Sequence, residues 1–247
     1  MRYFIKLSYN GAPFFGWQRQ PKQCSVQECM ETALGILLKE NIALTGCGRT
    51  DTGVHAREYY AHFNTETHWE SEQMKDFVYR LNALLPKEIC IEAIFPVADN
   101  AHARFDAMSR TYRYYLNLCK DPFSYPFAYS FYRPLDIPLM NEAAALLLQT
   151  DDFTSFSKVH TQVRNHICHV TFAQWRQEGN QLIFEITADR FLRNMVRAIV
   201  GTLLDVGLHK ISIADFKEII LQKNRNNAGT SVPAHALFLE KIRYPFI

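Results

Sequence analysis

Nine consecutive residues, Gly48-Arg49-Thr50-Asp51-Thr52-Gly53-Val54-His55-Ala56, constrain this chain more than any other stretch. They set one carboxylate between two threonines, with an arginine two residues before it and a glycine on each side. Glycine adopts positive φ as readily as negative, so Gly48 and Gly53 permit a tight backbone that other residues would strain. That places Asp51 on a loop, where binding and catalytic side chains gather. Taken alone, Thr-Asp-Thr-Gly is more often a surface turn in which the aspartate bonds its own backbone. Two features weigh the other way. His55 and Ala56 run straight into an aromatic, strand-like segment from Tyr59 to Phe63, which pins the loop to a sheet edge. Arg49 can also hold the carboxylate ionised through a charge-assisted bond, the state that covalent and acid–base chemistry require.

Around this loop the chain alternates strand and helix signals. Arg2 to Tyr9 alternates as a half-buried strand does, and Asn10-Gly11-Ala12-Pro13 ends it as a turn. Phe14 to Gln20 follows as a polar and aromatic loop. Ser25 and Glu28 form a capping box before a helix whose buried face is Val26, Met30, Ala33, Leu34, Leu37 and Leu38. Beyond the central loop come a strand over Arg57–Phe63 and a helix from about Ser71 to Leu85. That helix carries Met74, Phe77, Val78, Leu81 and Leu84 on one face, and Pro86 stops it before a strand over residues 88–97.

Farther along, Pro138 starts a helix through Gln149, and residues 164–175 and 181–187 form a hairpin turning at Glu178-Gly179-Asn180. Met195 to Leu204 reads as a helix with a core face, Ser212 caps another, and residues 234–244 close the chain as a strand. At 247 residues and 48% hydrophobic, the chain suits one large domain or two modest ones with a sizeable core.

Two further stretches concentrate charge. Between Ala101 and Leu135 five Lys/Arg face two Asp/Glu, with ten aromatic residues interleaved. Cations neutralise phosphate and flat rings stack on exposed bases, so the pattern suits RNA; it equally suits a half-buried strand with an arginine-rich solvent face. Alternation puts Tyr112 and Tyr114 on one face of such a strand. Arg190, Arg193 and Arg197 recur at i, i+3 and i+7, a basic stripe that is either a solvated helix face or a binding face. With a formal charge of only +2, a basic surface must come from clusters of this kind.

The loop matches, without a mismatch, the pattern Gly-Arg-Thr-Asp-x-Gly-Val-His-Ala, and so resembles the catalytic motif of the TruA-type tRNA pseudouridine synthases. His102-Ala103-Arg104-Phe105 with Arg110-Thr111-Tyr112-Arg113-Tyr114 is similar to that family's second motif, and Phe191 to Gly201 to its third. Gly16-Trp17-Gln18 and residues 152–156 also look like family segments, the former lying near RNA there. Departures are local: Glu58-Tyr59 stands where the family commonly has Gly-Gln, and Ala236-Leu237 where it often has Gly-Leu.

The resemblance implies an α+β fold of two related domains, each a mainly antiparallel sheet backed by helices, with a catalytic cleft between them. The expected division is residues 1–105, carrying the aspartate loop, and 106–247, carrying the tyrosine and arginine motifs. The implied activity is isomerisation of uridine to pseudouridine at positions 38 to 40 in the anticodon arm of tRNA. Asp51 is then the nucleophile, Arg197 its partner, and Tyr112 the active-site tyrosine stacking on uracil. Arg49, His55, Arg110 and Arg193 are expected at RNA or local structural contacts. No cofactor and no metal are implied, because the substrate holds every atom of the product. A homodimer is expected from the family, and no apolar run approaches the ~18 residues of a spanning helix.

The alternatives are a non-catalytic RNA-binding protein and a pseudouridine synthase acting on another RNA. The six cysteines lie without Cys-x-x-Cys pairing and read as reduced thiols of a cytoplasmic protein. His166, Cys168 and His169 are close in sequence, but a strand puts His169 on the opposite face, a spacing that suits no common zinc motif.

Overall fold

The computed structural model describes residues 1–158 and 165–247; Arg164, the expected start of the hairpin, lies outside them. In chain order the elements are β1 (Arg2–Tyr9), α1 (Val26–Leu38), β2 (Thr45–Gly46), β3 (His55–Asn64), α2 (Ser71–Leu84) and β4 (Ile89–Val97). They continue with β5 (Ser109–Asn117), β6 (Tyr129–Ser130), α3 (Ile137–Ala145), β7 (Val170–Glu178), β8 (Gln181–Ala188), α4 (Met195–Gly207), α5 (Ile213–Leu221) and β9 (Leu237–Arg243). Two compact units result, residues 1–108 with 239–247, and residues 109–238. The last nine residues therefore belong to the first unit rather than to a continuous 106–247 domain, because β9 takes the place beside β3.

In the first unit the strand order is β4–β1–β3–β9. β1 runs antiparallel to β3 from Arg2↔Asn64 to Tyr9↔Ala56, and antiparallel to β4 from Arg2↔Val97 to Tyr9↔Ile89. Tyr3, Phe4 and Ile5 are all buried, so β1 starts as a doubly covered strand where the sequence reads as half-buried. The cover on the second face comes from the chain end: Tyr244 and Phe246 set their rings 5.5 and 5.6 Å from Phe4. Tyr3 faces the other way, edge-on to Trp69 at 4.7 Å.

Helix α1 is capped by Ser25, whose hydroxyl accepts from the Glu28 amide at 3.3 Å. Glu28 itself lies 3.6 Å from Arg19. Helix α2 buries Phe77 and Leu81 from its expected face, while Leu84 at its end is exposed. Its cap is a reciprocal pair between Glu70 and Gln73.

In the second unit β5, β8 and β7 lie in that order, β5 antiparallel to β8 and β8 to β7, with β6 parallel to β5. Gly179 turns the β7–β8 hairpin at φ 57, in the left-handed region that favours glycine. α4 is apolar nearly all round and correspondingly buried at eleven of its thirteen positions, so it is the core helix of this unit. Gly201 and Gly207 let neighbours approach it: a Cβ on Gly201 would meet the Thr230 carbonyl oxygen at 1.9 Å. Ser155 ties the 3₁₀ turn Thr154–Phe156 to α5, donating to the Ile219 carbonyl at 2.6 Å. Among the described residues no helix is long and apolar enough to cross a membrane.

One buried histidine makes the first unit sensitive to acid. His62 is 6% exposed, and its Nδ1 accepts from the Ala103 amide at 3.0 Å. Burial, aided by Arg2 and His102, pushes its pKa down to about 4. The unfolded chain protonates this ring near the ordinary value of about 6.5 and the folded one near 4, so stability falls as pH drops through that window and levels below it. Urea unfolding between pH 6.5 and 4 should show a loss on the order of 2 kcal/mol that His62→Gln largely removes; parallel profiles for the two proteins would contradict this.

Candidate active site

Asp51 sits half-buried on the loop between β2 and β3, and the surrounding residues explain how a loop without regular structure keeps one shape. Two segments clamp it. From β1, the Tyr9 hydroxyl and the Thr50 Oγ1 are 2.9 Å apart in a buried position, fixing the residue before Asp51. The Gly11–Trp17 loop supplies backbone partners: the Trp17 amide donates to the Thr50 carbonyl at 3.4 Å, and the Gly53 amide to the Phe14 carbonyl at 3.4 Å. The Val54 amide donates to the Asp51 carbonyl at 3.1 Å, closing the turn, with Gly53 at φ 78.

Close approach demands the glycines. A Cβ on Gly11 would lie 2.0 Å from the Val54 carbonyl oxygen, and one on Gly16, itself at φ 83, 2.3 Å from that of Thr50.

The aromatic residues complete the clamp. Trp17 stacks on Tyr59 with centroids 4.1 Å apart, and Tyr9 meets Tyr59 edge-on at 5.5 Å. The Tyr59 hydroxyl donates to the Gly48 carbonyl, and burial pushes that phenol well above its ordinary pKa, keeping the donor proton in place. Trp17, buried, thus holds the aspartate loop by packing, while Phe15 beside it is exposed. Tyr59, which falls in one of the two departures from the family pattern, is part of this support.

His55 is 1% exposed and its Nδ1 accepts from the Gly11 amide at 3.0 Å. Of the two roles open to it, the local structural contact is the one this geometry provides. Arg49 is exposed. Replacing Tyr59 by Phe removes a buried donor and leaves the Gly48 carbonyl without it, which should cost about 1–2 kcal/mol in urea unfolding. An unchanged unfolding midpoint would show that the loop keeps its shape without the hydroxyl.

The second unit carries the remaining expected residues. Arg110, Tyr112 and Tyr114 alternate along β5. Arg110 donates through Nη1 to the Asp189 carbonyl at 2.6 Å. Tyr112 is half-buried and packs edge-on against Phe191 at 5.0 Å. Tyr114 is fully buried, donates to the Pro233 carbonyl at 2.9 Å, and is pushed to a raised pKa by burial, with the Arg197 charge opposing. Arg197 donates through Nε to the Val232 carbonyl at 2.7 Å, the carbonyl just before the one that Tyr114 meets. Arg113, between the tyrosines in sequence, pairs with Glu185 at 2.6 Å, as a half-buried strand with a charged face would have it.

The basic stripe is not a helix face. α4 begins at Met195, and Asn194 at φ 66 breaks the helical path, so Arg190 and Arg193 lie on the preceding loop. Arg190 reaches Asn165 at 3.0 Å, and Arg193, exposed at the surface, takes the Lys158 amide on its carbonyl at 3.1 Å.

The 228–233 segment carries no expected residue, yet it determines how Arg197 is held. Asn194 and Arg225 both donate to the Ser231 hydroxyl, at 2.6 and 2.8 Å, and the Gly229 amide donates to Thr202 at 2.9 Å. These bonds strap the segment along α4 and present the Val232 and Pro233 carbonyls. The signals a sequence could offer for it are two glycines at close approaches, Gly201 against Thr230 and Gly229 against Thr202. Cys168 is fully buried, with its thiol pushed up to about 12 by burial, and His169 lies 3.1 Å from Asp151.

Comparison with known proteins matches residues 143–245 to the family model described as tRNA pseudouridine synthase. Curated relatives named tRNA pseudouridine synthase A match over nearly the whole chain. The protein of Parabacteroides distasonis is 52% identical, covering 99% of this chain and 96% of its own. That of Porphyromonas gingivalis is 51% identical over 99% and 97%, and that of Bacillus licheniformis 40% identical over 99% of both.

Proposed function

The chain belongs to the tRNA pseudouridine synthase family, converting uridine to pseudouridine in tRNA, and we propose that it does so at positions 38 to 40 with Asp51 as the nucleophile. The reaction breaks the bond from ribose C1′ to uracil N1, forms one from C1′ to C5, moves a proton off C5 and leaves one on N1. Atoms balance within the substrate, so no cofactor enters. The observation that carries the assignment of Asp51 is a half-buried carboxylate on a loop whose backbone is fixed from β1, from the Gly11–Trp17 loop and from Tyr59.

Arg197 pairs with Asp51 in this reading, keeping the carboxylate charged and aimed. Tyr112 stacks on the detached uracil. Arg49, Arg110 and Arg193 meet the RNA, with Arg49 and Arg193 exposed in support. The reacting nucleotide is turned out of its stack at a cost of a few kcal/mol, which cationic and aromatic contacts offset. A cleft between the two units, their kinship to one another and a homodimer belong to the same reading, resting on the family resemblance, and a cytoplasmic location rests on the six cysteines without Cys-x-x-Cys pairing, read as reduced thiols.

The experiment is site mapping by carbodiimide labelling of tRNA from strains with and without the gene. Label at positions 38 to 40 should vanish in its absence. Loss elsewhere would move the target to another uridine, and no loss would leave an RNA-binding protein without this chemistry.

A further inference from the structure

The turn from His102 to Asp106 displays a ring in water on a backbone tied down from every side. Phe105 is 74% exposed. Beneath it the His102 amide donates to Asp106 Oδ2 at 2.7 Å and the Asp106 amide to the His102 carbonyl at 3.0 Å. The amides of Arg104 and Phe105 both point at His102 Nδ1, at 3.1 and 3.3 Å. Ala103, fully buried, is held through its amide by His62 at 3.0 Å and through its carbonyl by the Tyr244 hydroxyl. Arg2 adds a bond to the Ala101 carbonyl at 2.8 Å. The His102 ring lies 4.3 Å from that of Phe105, tilted 34°, and the Arg104 guanidinium carbon sits 5.6 Å from the Phe105 centroid.

An apolar ring left in water contributes nothing to folding through burial. Here the fold nonetheless fixes its position with two histidines, an aspartate, a tyrosine and an arginine. We propose that Phe105 and Arg104 form a stacking platform for an unpaired nucleotide of the tRNA substrate, the ring taking a base and the guanidinium a neighbouring phosphate. This rests on the function proposed above.

A flat ring beside a cation is the element that single-stranded RNA sites use, because every base has a π face and every linkage a charge. Holding the ring rigid in advance lowers the ordering cost of binding. A second protein is the weaker occupant. A stable interface needs roughly 800 Å² on each partner, whereas the large apolar residues exposed in and next to this turn in sequence are Phe105 and Met108.

The test compares Phe105→Ala, Phe105→Trp and Arg104→Gln with the wild type in filter binding to an unmodified tRNA transcript, with single-turnover rates at saturating enzyme. Stacking is worth about 1–3 kcal/mol per base, so Phe105→Ala should weaken tRNA binding about 5- to 150-fold with the saturated rate unchanged. Phe105→Trp should bind as the wild type does, and the fluorescence that this substitution adds should be quenched on tRNA binding. Arg104→Gln should lower the slope of log affinity against log salt by about one.

The platform is overturned if Phe105→Ala binds within twofold of the wild type, if the fluorescence added by Phe105→Trp is unmoved by tRNA, or if Phe105→Ala changes the light-scattering mass instead of tRNA affinity. Wild-type protein that makes no pseudouridine would strike at the proposed function, while the affinity comparison would still decide the platform.

Discussion

Asp51→Asn should abolish pseudouridine formation, by a factor of at least about 10⁴, while leaving tRNA affinity within a few-fold of the wild type. The substitution preserves size and hydrogen-bonding shape and removes only the charge, and an amide cannot attack carbon as a carboxylate does. Contacts made by the neighbours of Asp51 fix the loop. Tyr9 holds Thr50, the Gly11–Trp17 loop holds Thr50 and Gly53 by backbone bonds, and Tyr59 holds Gly48. Melting temperature should therefore move little, and filter binding with single-turnover kinetics separates the two effects. A variant that folds, binds and still turns over within about a hundredfold would remove Asp51 as nucleophile.

Arg197→Lys should lower turnover by about 10²–10³ with a stability change near roughly 1 kcal/mol. The guanidinium uses Nε on the Val232 carbonyl at 2.7 Å, which fixes the orientation of its plane. Lysine has no second fork and no fixed plane, so on the proposed pairing it supplies the charge without aiming it. Arg197 also carries its own backbone bond, accepting from the Val232 amide at 3.2 Å, and that bond survives the substitution. Circular dichroism melts beside single-turnover rates decide the case. A steep fall in melting temperature would show the arginine to be chiefly structural.

Much of this site was legible in the chain, for a physical reason in each case. Gly53 announces a positive φ that the structure contains, and the aromatic run after His55 announces the strand that anchors the loop. Ser25 and Ser212 announce helix starts because a hydroxyl must meet an orphan amide there. What the chain did not disclose is tertiary. The stacking of Trp17 on Tyr59 joins residues far apart in sequence, and their pattern does not distinguish an RNA-facing ring from a packed one.

The double covering of β1 depends on Tyr244 and Phe246 at the far end of the sequence. The Val232 and Pro233 carbonyls are backbone atoms, so no residue type marks them. The arginine stripe misled because a left-handed Asn194 interrupts a spacing that otherwise fits a helix.

The most direct measurement is primer extension after carbodiimide labelling, on one unmodified tRNA transcript treated in parallel with wild-type protein and with Asp51→Asn. The predicted result is new stops in the anticodon arm at positions 38 to 40 with the wild type and none with the variant. Stops of similar strength in both lanes would contradict it.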